Sequence, residues 1–221
     1  MKNSNYFRRL RQLFTVPRNR RSSLAVCIVM AAQQLSGINI FAFLSTTIFS
    51  YGSSNAMESL WLGFGFACSN AVFSPVAYWF IDEKGRRFLL LASLVAMVPL
   101  LIATAFSFKI DGQKARSAVV EVFVILYTAA YSPGAGVVPF LYSSEVFPLI
   151  VREAGMSWSC FVNFSLAGVL ALTVPQLNHA LGPTRLLCLF AGLDALAAIL
   201  VWLLVPGTVQ VTTLEVRIFG R

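Results

Sequence analysis

Charge is the scarcest property of this 221-residue sequence: Asp, Glu, Lys and Arg make up 12% of it, against 57% hydrophobic residues. A soluble domain carries about 25% charged residues. Histidine occurs once, as His179, and the four cysteines have no metal-ligand spacing. No glycine-rich loop of the kind that cradles phosphate precedes a helix. These scarcities exclude a soluble domain, disfavour an enzyme, and give no reason to expect a metal or another cofactor.

Acidic residues are missing altogether from residues 1–22, which hold seven of the seventeen lysines and arginines. Basic residues that gather before an apolar run indicate membrane topology, so the net charge of +8 does not point to nucleic acid. We interpret residues 1–22 as a basic cytoplasmic linker segment. Residues 6–14 form either a short amphipathic helix, ended by Pro17, or part of a disordered tail.

Six apolar runs follow, and each is long enough to cross a bilayer as a helix. They cover roughly 24–50, 57–80, 88–108, 118–143, 154–177 and 184–206. The sequence therefore predicts an all-α integral membrane protein with a six-span bundle at 23–207 and a cytoplasmic tail at 208–221. Thirteen basic residues fall on the side of the two termini and four on the other side, which places both termini in the cytoplasm.

The first run contains the stretch 33–39, QQLSGIN, with three side-chain amides that are costly inside a membrane unless they have partners or face a cavity. On a regular helix Gln34 lies about 100° and Asn39 about 240° around from Gln33, so the three do not share a face. Gly37 offers a place where the helix unwinds and redirects them, as in the broken spans of transporters. The alternative is a tilted, packed helix whose amides bond to neighbouring helices.

The fourth run contains SPGAGVVP at 132–139, which no regular helix accommodates undisturbed. Pro139 has no N–H group and leaves the Ala135 carbonyl without its helical partner. We predict helix breaks here and in the first run, at Gly37, Pro133, Gly134, Gly136 and Pro139. Loose packing of two kinked helices is the alternative.

Single polar residues mark other runs. Asn70 lies in the second run, one helical turn before Ser74 and Pro75, and Asn163 lies in the fifth. Asp194 is a lone acid in the sixth run, to which the sequence assigns no role.

Two predicted cytoplasmic loops, 82–87 and 145–153, each carry both acidic and basic residues. We expect Arg86 or Arg87 to pair with Glu145, and Arg152 with Asp82, as a latch that opens when the helices rock. The alternative is a positive-inside anchor with no gating role.

These motifs, with Val205-Pro206-Gly207-Thr208, resemble the C-terminal half of a sugar porter of the major facilitator superfamily, of fungal hexose type. The resemblance covers nearly the whole chain and implies that the six runs are helices seven to twelve. It implies a substrate site that contacts sugar hydroxyls. Its members are Gln33, Gln34, Asn39, Asn70, Phe140 and Asn163. Phe140 stands where glucose facilitators have tryptophan, and Ser132 and Gly207 replace acids that are usual in the family.

The resemblance implies alternating-access transport of a small neutral sugar or polyol, by an integral, multi-pass protein of the plasma membrane. Neutral amides suit such a substrate because each both donates and accepts hydrogen bonds without the desolvation cost of a charge. The family's transporters have two halves. We therefore expect a homodimer or a separate N-terminal half as partner, beside the lipid bilayer. The alternative is a transport-inactive half that acts as a membrane scaffold or regulatory partner.

Overall fold

The computed structural model of the chain describes residues 6–41 and 56–205, apart from the side chains of residues 7, 56, 58–62, 82–83 and 113–114. Every regular element in these residues is helical, which is how a chain satisfies its backbone hydrogen bonds in lipid. The helices are α1 (Tyr6–Thr15), α2 (Pro17–Leu35), α3 (Ala56–Phe73), α4 (Val76–Lys84), α5 (Arg86–Ser107), α6 (Gln113–Tyr131), a π-helical turn (Ser132–Gly136), α7 (Val138–Val146), α8 (Arg152–Leu181) and α9 (Pro183–Leu204).

Five segments of the described residues are long and apolar enough to cross a membrane. They are Gly63–Ile81, Arg86–Ser107, Ala115–Val146, Arg152–Leu181 and Pro183–Leu204. These segments match the second to sixth predicted runs. The first run, 24–50, extends past residue 41, so the predicted count of six spans lies partly outside the described residues.

The basic N-terminal segment is helical and is joined directly to the first run. α1 packs on α2 and α8, with Leu13 fully buried and the Phe14 ring meeting the edge of Trp158 at 5.0 Å. Pro17 occupies the first turn of α2, where its missing N–H costs nothing. α2 then continues from the basic residues into the apolar run without interruption at position 22. The predicted tail at 208–221 lies outside the described residues.

The core of the bundle is formed by α5, which packs most extensively against α9 and then α6, and by α2, which packs against α8 and α9. Pro99 and Pro175 remain inside the continuous helices α5 and α8. At these two positions a proline alone does not interrupt the helix, whereas a turn at Ser74–Pro75 separates α3 from α4. The turn between α6 and α7 combines Pro133 with two glycines, Pro139 follows in the first turn of α7, and here the α-helix is replaced by a π-helical turn.

Candidate substrate site

The first run breaks where the sequence carries its serine and glycine. α2 ends at Leu35, Gly37 has a φ of +90°, and helix resumes over residues 38–41. This positive φ favours glycine, and a Cβ there would also lie 3.3 Å from the Cβ of Phe190. The Tyr127 hydroxyl on α6 donates to the Ser36 carbonyl at 2.9 Å, which satisfies a backbone acceptor at the break. The amides on the two sides of the break are thereby turned toward each other.

Four buried side-chain amides form one hydrogen-bonded group around this break: Gln33, Gln34, Asn39 and Asn163, here called the amide cluster. Asn39 Nδ2 donates to Gln34 Oε1 across the break. Gln34 Nε2 donates to Asn163 Oδ1 at 2.8 Å, and Asn163 Nδ2 donates to Gln33 Oε1 at 2.6 Å. The series joins both sides of the broken first run to α8. This arrangement contains features of both hypotheses drawn from the sequence: the span is broken at Gly37, and its amides also bond to a neighbouring helix.

The series ends on the π-helical turn. Gln33 Nε2 donates to the carbonyl oxygens of Ala135 and Gly136, at 2.8 and 3.1 Å. The Ala135 carbonyl is the one that Pro139 leaves without a helical partner, since proline has no N–H to donate four residues later. Gln33, from α2, thus supplies the hydrogen bond that Pro139 removes. The free carbonyl in the fourth run in turn fixes the position of the Gln33 amide in the first run.

The helix α5 packs against the π-helical turn and supports it through Ser93. The Ser93 hydroxyl donates to the Ala130 carbonyl at 2.7 Å and accepts from the Ala135 N–H at 3.2 Å. Gly134 lies directly on this serine: a Cβ at position 134 would stand 2.2 Å from the Ser93 Cβ and 2.6 Å from the Leu89 carbonyl oxygen. Only glycine fits this close approach of two helices, so Gly134 and Ser93 together fix the carbonyls that Gln33 contacts.

Asn70 is connected to the same turn at its other end. Its Oδ1 lies 2.8 Å from the Ser132 hydroxyl, which is also 2.7 Å from the Thr128 carbonyl, so the two oxygens share the one hydrogen that Ser132 can donate. Ser74, one turn along, donates to the Asn70 carbonyl at 2.7 Å, next to the turn at Ser74–Pro75 that separates α3 from α4. Asn70 therefore adjoins the π-helical turn without bonding directly to the amide cluster in the described part of the chain.

Phe140, the predicted aromatic face for a sugar ring, lies on α7 with 38% of its surface exposed. Its carbonyl accepts from the Ser143 hydroxyl at 2.7 Å. An exposed ring one residue after Pro139 remains available for an apolar contact.

Among the described side chains, the two charged loops meet through an ion pair. Arg86 Nη2 and Nε approach Glu145 Oε1 at 3.0 and 3.2 Å, with the side chains 23% and 31% exposed. Of the two alternatives for Glu145, Arg86 is the partner. Arg87 instead donates to the Trp202 carbonyl near the end of α9.

The second predicted pair rests on Arg152 and Asp82. The Asp82 side chain lies outside the described residues. Arg152 Nε is buried and makes no hydrogen bond to any described residue. This pairing stays a prediction.

Sequence reasoning did not find Ser93 or Tyr127, both of which hold the backbone of the site. Each sits in an otherwise apolar span, where a hydroxyl needs a partner, and that is the only signal the sequence offers. Among the described residues, no three His, Cys, Asp or Glu side chains lie together in a way that could hold a metal ion.

The geometry defines a helical membrane protein with a neutral, amide-lined site at paired helix breaks, and the comparisons identify its family. The family model for "Sugar (and other) transporter" matches residues 1–218. The chain belongs to this family of sugar porters, within the major facilitator superfamily. Family and fold are those of transporters, and the protein is an integral, multi-pass membrane protein.

Similar proteins include three fungal carriers. The chain is 32% identical to Myo-inositol transporter 1 of Cryptococcus neoformans over 97% of its length, and 31% identical to Myo-inositol transporter 1 of Saccharomyces cerevisiae over 89%. It is 33% identical to Myo-inositol transporter 2 of Schizosaccharomyces pombe over 85%. The chain spans only 34 to 40% of the length of these relatives.

Solved structures show the same fold. A major facilitator proton:xylose symporter, XylE, bound to 6-bromo-6-deoxy-D-glucose, matches 84% of this chain with a TM-score of 0.73 at 20% identity. A D-xylose-proton symporter structure matches 90% of the chain with a TM-score of 0.75 at 20% identity. The match covers 40 and 45% of those chains. The helices therefore follow the major facilitator arrangement over the matched part.

Proposed function

We propose that this chain is the second half of a carrier that moves a small neutral polyol or sugar across a membrane by alternating access, with myo-inositol as the first candidate. The observation that carries the proposal is the amide cluster: four neutral, buried amides in hydrogen-bonded series at a helix break. Helix breaks near mid-membrane are a recurring way to build a transporter's substrate site.

The chemistry of the cluster matches a polyol. Each carboxamide both donates and accepts, and so does each substrate hydroxyl. An entering polyol therefore replaces the amide–amide bonds of Gln34, Asn39 and Asn163 one for one, with no buried polar group left unpaired. A phosphate or an amino acid needs buried charges in the site, which this cluster lacks. We infer that Gln33, bonded to the π-helical turn, keeps α2 in place relative to that turn while the other three amides of the cluster rearrange.

Asn70 and Phe140 complete the proposed site. Asn70 adjoins the other end of the π-helical turn through Ser132, and Phe140 follows directly after Pro139. We propose that Phe140 offers a ring for the C–H face of the substrate, as aromatic side chains do for apolar surfaces. It has no indole N–H donor, and this favours contact with a ring face over recognition of one more hydroxyl.

Arg86 and Glu145 are proposed to close the cytoplasmic side. The pair joins the start of α5 to the end of α7, so it must stretch when α7 and the π-helical turn move as one piece. Asp82, Arg87 and Arg152 are proposed to belong to the same gate. We also propose that both termini lie in the cytoplasm and that the protein resides in the plasma membrane, which protease accessibility of terminal tags in intact cells tests.

The fungal relatives favour a cyclic polyol over a hexose. Three relatives are named myo-inositol transporters, and an Arabidopsis thaliana relative, 31% identical over 87% of the chain, is named Polyol transporter 5. All these relatives are transporters, so the scaffold hypothesis gains no support from them. Alternating access needs two halves, and we propose that the second is another copy of this chain or a separate N-terminal half.

Labelled uptake tests the proposal. Yeast cells without their own inositol and hexose carriers express this chain alone, and in parallel with the N-terminal half of a fungal relative. We expect saturable uptake of labelled myo-inositol in at least one arm, reduced by unlabelled polyol and unaffected by an amino acid. Gln34→Ala should abolish it, while Thr173→Ala, which removes an exposed hydroxyl of α8, should not. Protein at the membrane with no uptake of any polyol or sugar in either arm would contradict the proposal.

A further inference from the structure

Asp194 is a fully buried acid in the middle of a membrane-spanning helix, with no hydrogen-bond partner among the described residues. It is the twelfth residue of the 22-residue helix α9, and none of its surface is exposed. Neither carboxyl oxygen accepts a hydrogen bond from any described residue. A buried carboxylate without a partner is strongly unfavourable in a protein and more so in a bilayer. We therefore expect the Asp194 carboxyl to be protonated in this conformation.

The helices packed around Asp194 offer no counter-charge at its depth. α9 packs on α5, α2 and α8, whose charged residues stand near their ends. The titratable and charged groups of these helices are Arg86 and Arg87 on α5, Arg18, Arg20, Arg21 and Cys27 on α2, and Arg152, Glu153, Cys160 and His179 on α8, with Arg185 and Cys188 on α9 itself. The helix α6, which carries Tyr127, adds Lys114, Arg116, Glu121 and Tyr131. The sequence of residues 42–55 contains no Asp, Glu, Lys, Arg or His. Ionisation of Asp194 in this arrangement has no cation to favour it.

Asp194 lies beside the break in the first run. Phe190, one helical turn before it on α9, contacts Gly37. A charge on the Asp194 carboxyl acts electrostatically on Tyr127, which lies on α6. The Tyr127 hydroxyl is the group that donates to the Ser36 carbonyl at the break. A negative charge on Asp194 attracts the same hydroxyl proton, so it competes with the Ser36 carbonyl for the one hydrogen bond that Tyr127 can donate.

We propose that Asp194 is a proton-binding site whose proton, through Tyr127 and Ser36, controls the helix break that carries the amide cluster. With the proton bound, Tyr127 donates to Ser36 and the break is held as observed. With the proton released, Tyr127 turns to the carboxylate, the Ser36 carbonyl loses its donor, and the break loosens. The site takes a proton alone and acts independently of which solute the amide cluster binds.

Infrared spectroscopy of the purified full chain in lipid nanodiscs tests proton binding without any transport. We expect a carbonyl stretch of a protonated carboxylic acid at neutral pH in the wild type. Asp194→Asn should remove it, and Asp111→Asn, which changes an exposed acid between α5 and α6, should leave it in place. Raising the pH from about 5 to about 10 should titrate this band in one step in the wild type. The absence of a protonated acid at neutral pH, or its persistence in Asp194→Asn, overturns the proposal.

Hydrogen exchange then tests the coupling to the break. At matched pH, wild type and Asp194→Asn are compared for the peptide around Ser36 and Gly37. We expect equal exchange at acid pH, where both side chains are neutral, and at least several-fold faster exchange of the wild type once Asp194 has ionised. In Tyr127→Phe this pH-dependent difference should vanish. A difference independent of pH, or none at any pH, contradicts control by the proton.

A third variant covers the case in which Asp194→Asn does not fold. Asp194→Glu keeps the carboxyl but moves it by one methylene, so the midpoint of the infrared titration should shift while the Asp111→Asn midpoint matches the wild type. An unshifted midpoint in Asp194→Glu assigns the titrating band to another acid and overturns the proposal. Since neither readout uses a polyol, failure here is separate from failure of the proposed transport.

Discussion

The amide cluster and the charged set, which comprises Arg86, Arg87, Glu145 and Arg152, solve the problem of polar groups in a membrane protein in opposite ways. The cluster is neutral, buried and internally satisfied, with donor–acceptor distances of 2.6 to 3.1 Å for four of its bonds. The charged set lies at the ends of spans, and its one described ion pair is partly exposed. The stability of the amide cluster depends on the precise positions of its hydrogen-bond partners, and the stability of the charged set does not.

This difference bears on how each region responds to change. Removing one member of a buried hydrogen-bonded series leaves its partner unsatisfied, at a cost of about 1–3 kcal/mol. Removing one member of a partly exposed ion pair costs about 0.2–1 kcal/mol, because water replaces the partner. We therefore expect large, coupled effects at the cluster and its backbone support, and small, salt-sensitive effects at the charged set.

The largest effect is expected at Gly134, within the π-helical turn. Gly134→Ala places a methyl 2.2 Å from the Ser93 Cβ, which forces α5 and the turn apart and should destabilise the protein by about 1–3 kcal/mol or more. Gly168→Ala is the matched control, since no atom lies within 4 Å of the added methyl. Thermal unfolding in detergent compares the two variants. Equal unfolding temperatures would show that the close approach of the helices is not needed.

Next is Gln33, which connects the cluster to the turn. Gln33→Ala leaves the Ala135 carbonyl without its hydrogen bond and removes the acceptor for Asn163. We expect polyol affinity to fall by about 10- to 100-fold, which corresponds to about 1.4–2.8 kcal/mol. Equilibrium binding of labelled myo-inositol measures this, with circular dichroism to show that the protein stays folded. Unchanged affinity in a folded variant would remove Gln33 from the site.

A smaller effect is expected at Asn70, one step removed from the cluster. In Asn70→Ala the Ser132 hydroxyl keeps its bond to the Thr128 carbonyl, so the turn loses only one of two contacts. Affinity should fall by several-fold, for a net hydrogen-bond loss of about 0.5–1.5 kcal/mol. The control is Ser69→Ala on the same helix, whose hydroxyl bonds only to its own helix at the Gly65 carbonyl. If Asn70→Ala matches Gln33→Ala, Asn70 contacts the substrate directly instead of supporting the turn.

The smallest effect is expected at the ion pair. Glu145→Gln should lower stability by about 0.2–1 kcal/mol, and less at high salt, while it loosens the proposed gate. Labelling of a single engineered cysteine from the cytoplasmic side should become faster than in the parent protein. The matched variant Glu153→Gln removes an acid that is 85% exposed and lies 3.7 Å from Arg9. Identical labelling rates in all three proteins would contradict a gating role for Glu145.

The sequence predicted the helical membrane fold because long apolar runs and asymmetric basic loops leave few alternatives. The family assignment followed from motifs with fixed order, and the comparisons confirm it. The place of the break near Gly37 was also predictable, since a glycine among three side-chain amides in an apolar run is a position where the helix can unwind.

The supporting contacts were not predictable. Ser93 and Tyr127 are single hydroxyls in apolar spans, and sequence alone does not say which carbonyl each one reaches. That Gln33 donates to the Ala135 carbonyl required the relative placement of α2 and the π-helical turn, over 102 residues of chain. The choice of Arg86 over Arg87 for Glu145 likewise depends on the direction in which the first turn of α5 points.

A double-mutant cycle on Gln34 and Asn163 addresses most directly whether the amides act as one substrate-binding unit. Binding of labelled myo-inositol is measured for the wild type, Gln34→Ala, Asn163→Ala and the double variant, in whichever assembly shows uptake. Each single change should weaken binding by about tenfold or more, and the double change scarcely further, giving a coupling of about 0.5–3 kcal/mol. Four equal affinities would show that the amides only pack the helices together and that the polyol binds elsewhere. Losses that simply add would show that the two amides act independently, which contradicts a single substrate-binding unit.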